Sequence, residues 1–156
     1  MTFAATTYQW YLAVHILAAV IWVGGAFTIQ LLVIRATRPN APLPVGTLAT
    51  EVEWVGTRFF IPSSLILVIF GFMLAGKGNW DWDLWLVFAL IVWIASFVVG
   101  AAFLGPQSKK LGEDVERYGA DSAQATARLQ RIFLVSRVEL AFLLLVVLDM
   151  VLKPGS

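Results

Sequence analysis

The sequence predicts an all-α integral membrane protein, an up-and-down bundle of four transmembrane helices with an amphipathic cytoplasmic helical segment before the fourth span. Hydrophobic residues make up 60% of the 156 residues and charged residues only 13%. Soluble domains carry about 25% charged residues, so this chain has too little polar surface to cover a water-facing globule. The formal net charge of +1 also argues against nucleic-acid binding by bulk electrostatics.

Four apolar segments, within a single transmembrane domain covering residues 1–156, supply the predicted spans. They lie at about residues 8–34, 57–76, 84–104 and 132–152. The first is uncharged and would be roughly 40 Å long as a helix, enough to cross a bilayer. The second has Pro62 in its first turn, where a missing N–H costs little. The third is expected to end at the breaker Gly105-Pro106, and the fourth is the one that carries charged side chains.

Basic residues are unevenly distributed between the connections. The segments 35–58 and 107–131, together with Arg137, hold nine of the eleven Lys and Arg residues. The positive-inside rule then places both termini outside and both long connections in the cytoplasm, so a cytoplasmic membrane is expected. Under this topology four tryptophans fall on the outer edge, as an aromatic belt would: Trp10, Trp80, Trp82 and Trp85.

The third connection has a helical pattern of its own. Residues 108–118 are predicted as a charged helix closed by Gly119. Asp121, with Gln124 three residues later, resembles a capping box that starts a helix running on into the fourth span. By contrast, residues 38–44 contain three prolines and are predicted to form an extended connector.

His15 is the single histidine, and the chain has no cysteine. Iron–sulfur clusters, thiolate chemistry and cysteine zinc sites are therefore excluded. His15 lies roughly 10 Å inside the first span, with Trp22 and Gln30 near its face by the helical period. A neutral imidazole in a dry helical bundle is suited to be an axial ligand of haem b. Alternatively, the ring is a polar residue that hydrogen-bonds a neighbouring helix.

A second axial histidine does not exist in the chain. A haem held by His15 would therefore be five-coordinate, take Met73 or Met150, use water, or share histidines across a homodimer. Asp149 falls in the same leaflet as His15. A hydrogen bond between them would fix the imidazole tautomer, as in many metal-ligating histidines.

A second group of polar residues lies toward the cytoplasmic side. Glu139 is expected to meet Gln30 or Arg58, forming a structural polar cluster, because an unpaired charge in hydrocarbon costs several kcal/mol. Arg137 is two residues from Glu139 and cannot face it. Arg137 would snorkel to lipid phosphate, bind a porphyrin propionate or a substrate carboxylate, or pair with Glu51 or Glu53.

The segment His15-Ile-Leu-Ala-Ala-Val-Ile-Trp22-Val-Gly24-Gly25 resembles three groups of membrane proteins. They are an uncharacterised bacterial family of four-helix integral membrane proteins, the membrane-embedded protoporphyrinogen oxidases and the copper-resistance D domain. Length and the four-span layout resemble the uncharacterised family most. The oxidase resemblance implies a b-type haem on His15 and porphyrinogen oxidation, although Gln30-Leu31 departs from the arginine and proline of those enzymes. The copper resemblance implies metal uptake, for which this chain has few soft ligands.

Two functions from different classes follow from these residues. One is a small membrane protein that binds haem b and acts in redox or porphyrin chemistry, with His15, Trp22, Arg137 and a methionine at the site. The other is an accessory membrane subunit without a cofactor, in which the polar residues fix helix packing. The sequence identifies neither a substrate nor an electron partner.

Overall fold

The computed structural model describes residues 6–38 and 44–154, and throughout this part of the chain the regular structure is helical. The described residues form four continuous helices: α1 Thr7–Ala36, α2 Val45–Gly78, α3 Leu84–Tyr118 and α4 Ala123–Leu152. The all-α prediction is confirmed. Helices α1, α2 and α3 are long and apolar enough to cross a membrane, whereas α4 carries Arg137, Glu139 and Asp149 within its apolar half.

Helix α1 begins at the cap that its sequence favours. The Thr6 side chain accepts from the backbone N–H of Gln9, and the Gln9 side chain accepts from the backbone N–H of Thr6. This reciprocal pair satisfies two N–H groups that a helix start leaves without partners. Apolar side chains then continue around the whole circumference, and Leu17, Val20 and Leu31 are each more than half exposed. Such an all-round apolar surface suits contact with lipid.

Helices α2 and α3 each contain a π-helical turn at a corresponding position. In α2, Gly56–Phe60 separates the α-helical stretches Val45–Val55 and Ile61–Gly78; in α3, Gly100–Leu104 separates Leu84–Val99 and Gly105–Tyr118. The N–H of Ile61 donates to the carbonyl of Gly56, and the N–H of Gly105 donates to that of Gly100. π-Helical turns are rare in proteins, and those that occur frequently lie at functional sites.

The prediction that Gly105-Pro106 ends the third helix is wrong. The helix continues through both residues to Tyr118. The π-helical turn ends just before Pro106, which then occupies the first turn of the next α-helical stretch. Proline is tolerated there because its missing N–H needs no partner at that position.

The connections are also shorter than predicted. Helix α2 begins at Val45, ahead of the expected start, and most of residues 107–131 is helical. Gly119 does close the charged segment, with φ of 86°, and the last helix does run unbroken into the apolar region. Its cap, however, is Ser122, whose hydroxyl accepts from the N–H of Ala125, and not Asp121. Of the predicted proline connector, residues 39–43 lie outside the described residues.

At the charged end of the bundle, the first stretch of α2 packs against the last stretch of α3 and the start of α4. Ala49, Leu111 and Ala125 form its buried core. The predicted amphipathic segment is therefore an extension of α3 that covers α2. The close approach of α2 to α3 favours glycine at position 112, because a Cβ on this residue would lie 3.2 Å from the hydroxyl oxygen of Thr50. Arg128 joins α4 to α3 through a 2.6 Å ion pair with Asp114.

At the opposite end, the tryptophans divide into two kinds. Trp10 and Trp82 are 64% and 67% exposed, as members of an aromatic belt should be. Trp85 is instead buried, in edge-to-face contact with Trp80. The ammonium of Lys153 lies 4.4 Å from the centre of the Trp80 ring, which ties the end of α4 to the loop before α3.

Candidate functional site

The described helices form two large cavities between them, and the buried Trp22 side chain lines both of these. The His15 cavity, of about 590 Å³, is lined by residues of all four helices, with Ala19, Leu67, Val92 and Leu143 among its walls. The Gln30 cavity, of about 510 Å³, lies on the other side of Trp22. Both volumes fall in the range of small-molecule and cofactor sites, about 300 to 1,000 Å³.

His15 is held by a backbone group of α2. Its Nδ1 lies 2.8 Å from the carbonyl oxygen of Leu67. A carbonyl oxygen can only accept, so Nδ1 carries the proton, and in the neutral ring Nε2 presents a lone pair. A hydrogen bond from Nδ1 to a backbone carbonyl is the usual means by which proteins orient a metal-binding imidazole.

Gly71 allows the ring to approach α2 this closely. A Cβ on residue 71 would lie 3.3 Å from Cε1 of His15, tighter than an ordinary contact, and 3.5 Å from Nδ1, an ordinary van der Waals distance. Gly71 lies four residues after Leu67, so both are on the same face of α2. The position of the imidazole is thus set by the lack of a side chain at Gly71 as well as by the hydrogen bond to the Leu67 carbonyl.

The two candidate methionine ligands are placed differently. Met150 of α4 lines the His15 cavity, while Met73 is 40% exposed and lines neither of the two cavities. The expected hydrogen bond between Asp149 and His15 is not formed, because the single N–H of the neutral ring, on Nδ1, is donated to the Leu67 carbonyl. Oδ2 of Asp149 is buried, without a hydrogen-bond partner among the described residues.

Several polar side chains line the Gln30 cavity. Nε2 of Gln30 donates to the Ser136 hydroxyl oxygen of α4, and that hydroxyl donates to the carbonyl of Phe133. With the Ser136 proton donated to Phe133, the Ser136 oxygen accepts from the amide nitrogen of Gln30. The amide oxygen of Gln30 is consequently left over, and it is buried with no hydrogen-bond partner in the described chain.

Glu139 lies on the same wall of this cavity. It is three residues after Ser136, so their side chains share one face of α4 about 5 to 6 Å apart at Cβ. Both residues line the cavity, as do the buried Ser64 and Ser96. Within residues 6–38 and 44–154, the ion pair between Arg128 and Asp114 is the one present, so Glu139 has no cationic partner there.

The two arginines expected near Glu139 lie elsewhere. The Arg58 guanidinium is 5.6 Å from the centre of the Trp54 ring, and that of Arg137 is 3.7 Å from the centre of the Phe133 ring. Both arginines are exposed, and neither lines either cavity. Of the predicted cluster, the structure therefore brings together Gln30 and Glu139 and leaves Arg58 apart.

Residues 10–154 match the family described as "Predicted integral membrane protein (DUF2269)". The chain belongs to this family. The prediction of an uncharacterised membrane-protein family is confirmed, and the apolar helices accordingly contact the lipid bilayer. No curated protein and no solved structure matches the chain.

Sequence reasoning missed several members of the site. The Leu67 carbonyl is a backbone group and carries no side-chain signal. Ser136 lies 106 residues from Gln30 in the chain, so their hydrogen bond depends on helix packing. A signal was available for Ser136, because its three-residue spacing from Glu139 places both on one helical face.

Proposed function

We propose that this protein binds haem b in the His15 cavity, with Nε2 of His15 as the axial ligand, and acts in membrane redox or porphyrin chemistry. The observation that carries the proposal is the hydrogen bond from Nδ1 of His15 to the Leu67 carbonyl beside a cavity of about 590 Å³. This bond leaves the metal-binding nitrogen free and fixes the plane of the ring.

The residues of the cavity fit such a group. Its walls are almost entirely apolar, and the Met150 thioether belongs to them, which supports a histidine and methionine ligand pair. Among the residues that the structure describes, no Asp, Glu, Lys or Arg side chain is part of this lining. A haem propionate would therefore need a partner outside this lining, and Arg137, which was expected to bind one, does not line the cavity.

Within this proposal each part of the chain has a defined task. Haem b supplies one-electron chemistry, and its potential depends on the axial ligands and the polarity around them. Leu67 and Gly71 orient the imidazole, while Trp22 and Trp93 close the cavity toward the Gln30 side. Trp93 is itself fixed, because its indole N–H donates to the Ser64 carbonyl over 3.0 Å.

Purification with native pigment tests the proposal. We expect a Soret band in the wild-type protein and its loss in His15→Ala, because Nε2 is the protein's bond to iron. Gln30→Ala is the matched control: it also removes a polar side chain from α1, but it lies in the other cavity. A colourless wild-type protein whose thermal stability is the same in His15→Ala would instead support the accessory subunit without a cofactor.

We also propose that α4 crosses the membrane as a fourth span, giving an up-and-down bundle with both termini outside. Its length of 30 residues corresponds to roughly 45 Å, more than a bilayer needs. Glu139 lies toward the interior of the bundle, and the Arg137 side chain covers Phe133 with its charge free to reach headgroups. The distribution of basic residues supports the orientation.

Cysteine labelling in intact cells tests this orientation in a chain that has no cysteine of its own. We expect a membrane-impermeant maleimide to label Asn79→Cys and to leave Lys110→Cys unlabelled until the cells are opened. Both positions are exposed, whereas the neighbouring Ser108 is buried and would not report. The reverse labelling pattern would invert the topology.

A further inference from the structure

The Gln30 cavity has a chemistry that the haem proposal does not use. Two groups of its lining can accept hydrogen bonds but cannot donate them. They are the amide oxygen of Gln30 and, in its ionised form, the Glu139 carboxylate. Both lie beside Ser136, through the hydrogen bond of Gln30 and the helical spacing of Glu139. A ligand that satisfies them must therefore donate.

Gln30 is the buried member of this pair. Its side chain is only 6% exposed, yet its amide oxygen has no hydrogen-bond partner among the described residues. A buried polar atom without a partner carries a desolvation cost, and in native proteins it commonly marks a site completed by another molecule. Two of the serine hydroxyls that line the cavity donate elsewhere, because Ser64 donates to the Ile61 carbonyl and Ser136 to the Phe133 carbonyl.

The charge of the ligand follows from Glu139. A carboxylate inside an apolar bundle is stabilised by an opposite charge, and no cation of the described chain is paired with it. Lys109 also lines the cavity, but it belongs to the exposed surface of α3, where Glu53 of α2 lines the cavity as well. Among the described residues, the charged groups of the lining are thus two carboxylates, Glu53 and Glu139, and the exposed ammonium group of Lys109.

The walls define the rest of the ligand. The remaining lining is largely apolar, including Phe60, Phe97, Phe133 and Leu140, in a volume of about 510 Å³. Both π-helical turns contribute to it through Gly56 and Gly100, and a Cβ on either glycine would meet no atom within 4 Å. Space is therefore left open at the two π-helical turns, irregular features that often accompany binding sites.

We infer that the Gln30 cavity binds a lipophilic primary amine, with its ammonium group donating to the Glu139 carboxylate and the Gln30 amide oxygen and its hydrocarbon body between the π-helical turns. The ammonium group supplies both the charge that Glu139 requires and the several N–H donors that two separate acceptors require. This site is independent of His15 and would exist whether or not haem is bound.

Equilibrium dialysis of the full-length protein in nanodiscs, with 1-adamantylamine as the probe, tests the inference. We expect saturable binding to the wild type and at least about tenfold weaker binding to Glu139→Gln, which keeps the shape of the side chain and removes its charge. Arg137→Gln is the matched control, two residues away on the opposite face of α4, and should bind as the wild type does. Absence of saturable binding, or equal affinity in Glu139→Gln, would overturn the site.

A probe series on the wild-type protein makes the result independent of how well the variants fold. 1-Adamantanol donates a hydrogen bond without charge, and the trimethylammonium derivative of adamantane carries charge without an N–H. Both should bind at least about tenfold more weakly than the amine. If either compound binds with the affinity of the amine, the inference that the two acceptors recognise an ammonium N–H is wrong.

Discussion

Replacing Trp22 by alanine is expected to lower the free energy of unfolding by about 3 to 5 kcal/mol, the usual cost of truncating a buried aromatic residue. Trp22 is 8% exposed and lines both cavities, so its loss joins two spaces of about 590 and 510 Å³. Neighbouring side chains would have to fill that space, and those that line it already pack against other helices. Chemical unfolding in detergent micelles, followed by far-ultraviolet circular dichroism, measures the change.

Trp10→Ala provides the matched control for this experiment. The same side chain is removed from the same helix, but Trp10 is 64% exposed and packs little against the bundle. We expect its effect on unfolding to stay within about 0.5 kcal/mol. Equal losses in the two variants would show that Trp22 does not separate the cavities as a packed partition.

His15→Gly is expected to abolish haem binding, and added imidazole should restore it. The substitution removes the ring and leaves a space of its shape beside Gly71 and the Leu67 carbonyl. Free imidazole can enter that space, donate one N–H to Leu67 and present its other nitrogen to iron. Absorbance spectra with increasing imidazole give the measurement, and the Soret band should rise with saturation.

This rescue separates a ligand role from a packing role. If His15 served only to join α1 to α2, imidazole would raise the thermal stability of His15→Gly and produce no absorbance band. N-methylimidazole is the control compound, because it keeps an unprotonated nitrogen for iron and has no N–H to donate to Leu67. Pigment retained by His15→Gly without imidazole would contradict the proposed ligand.

The sequence was sufficient for the features that depend on local chemistry. Uncharged apolar runs located the cores of α1, α2 and α3, and Gly119 marked the end of α3 because its φ of 86° favours glycine. The continuity of α4 through Arg131 followed from the lack of any breaker. These signals are local, since each is set by neighbouring residues along one helix.

What the sequence did not predict depends on contacts between helices. The π-helical turn Gly100–Leu104 absorbs Pro106 within a continuous helix, and no local pattern distinguishes that outcome from a break. His15 was predicted to lie inside the bundle, but its partner is the backbone of Leu67, a residue indistinguishable from other leucines. The candidate pairing of Glu139 with Arg58 was based on depth alone, whereas each side chain also needs the right helical face.

The most direct measurement of the central claim is pulsed electron paramagnetic resonance of the ferric, haem-loaded protein grown with nitrogen-15 histidine. Because His15 is the single histidine of the chain, any nitrogen-15 coupling to the iron identifies it without substitution. We predict a strong coupling from one directly bound imidazole nitrogen, absent from protein grown with unlabelled histidine. Haem bound at full occupancy with no nitrogen-15 coupling would contradict ligation by His15.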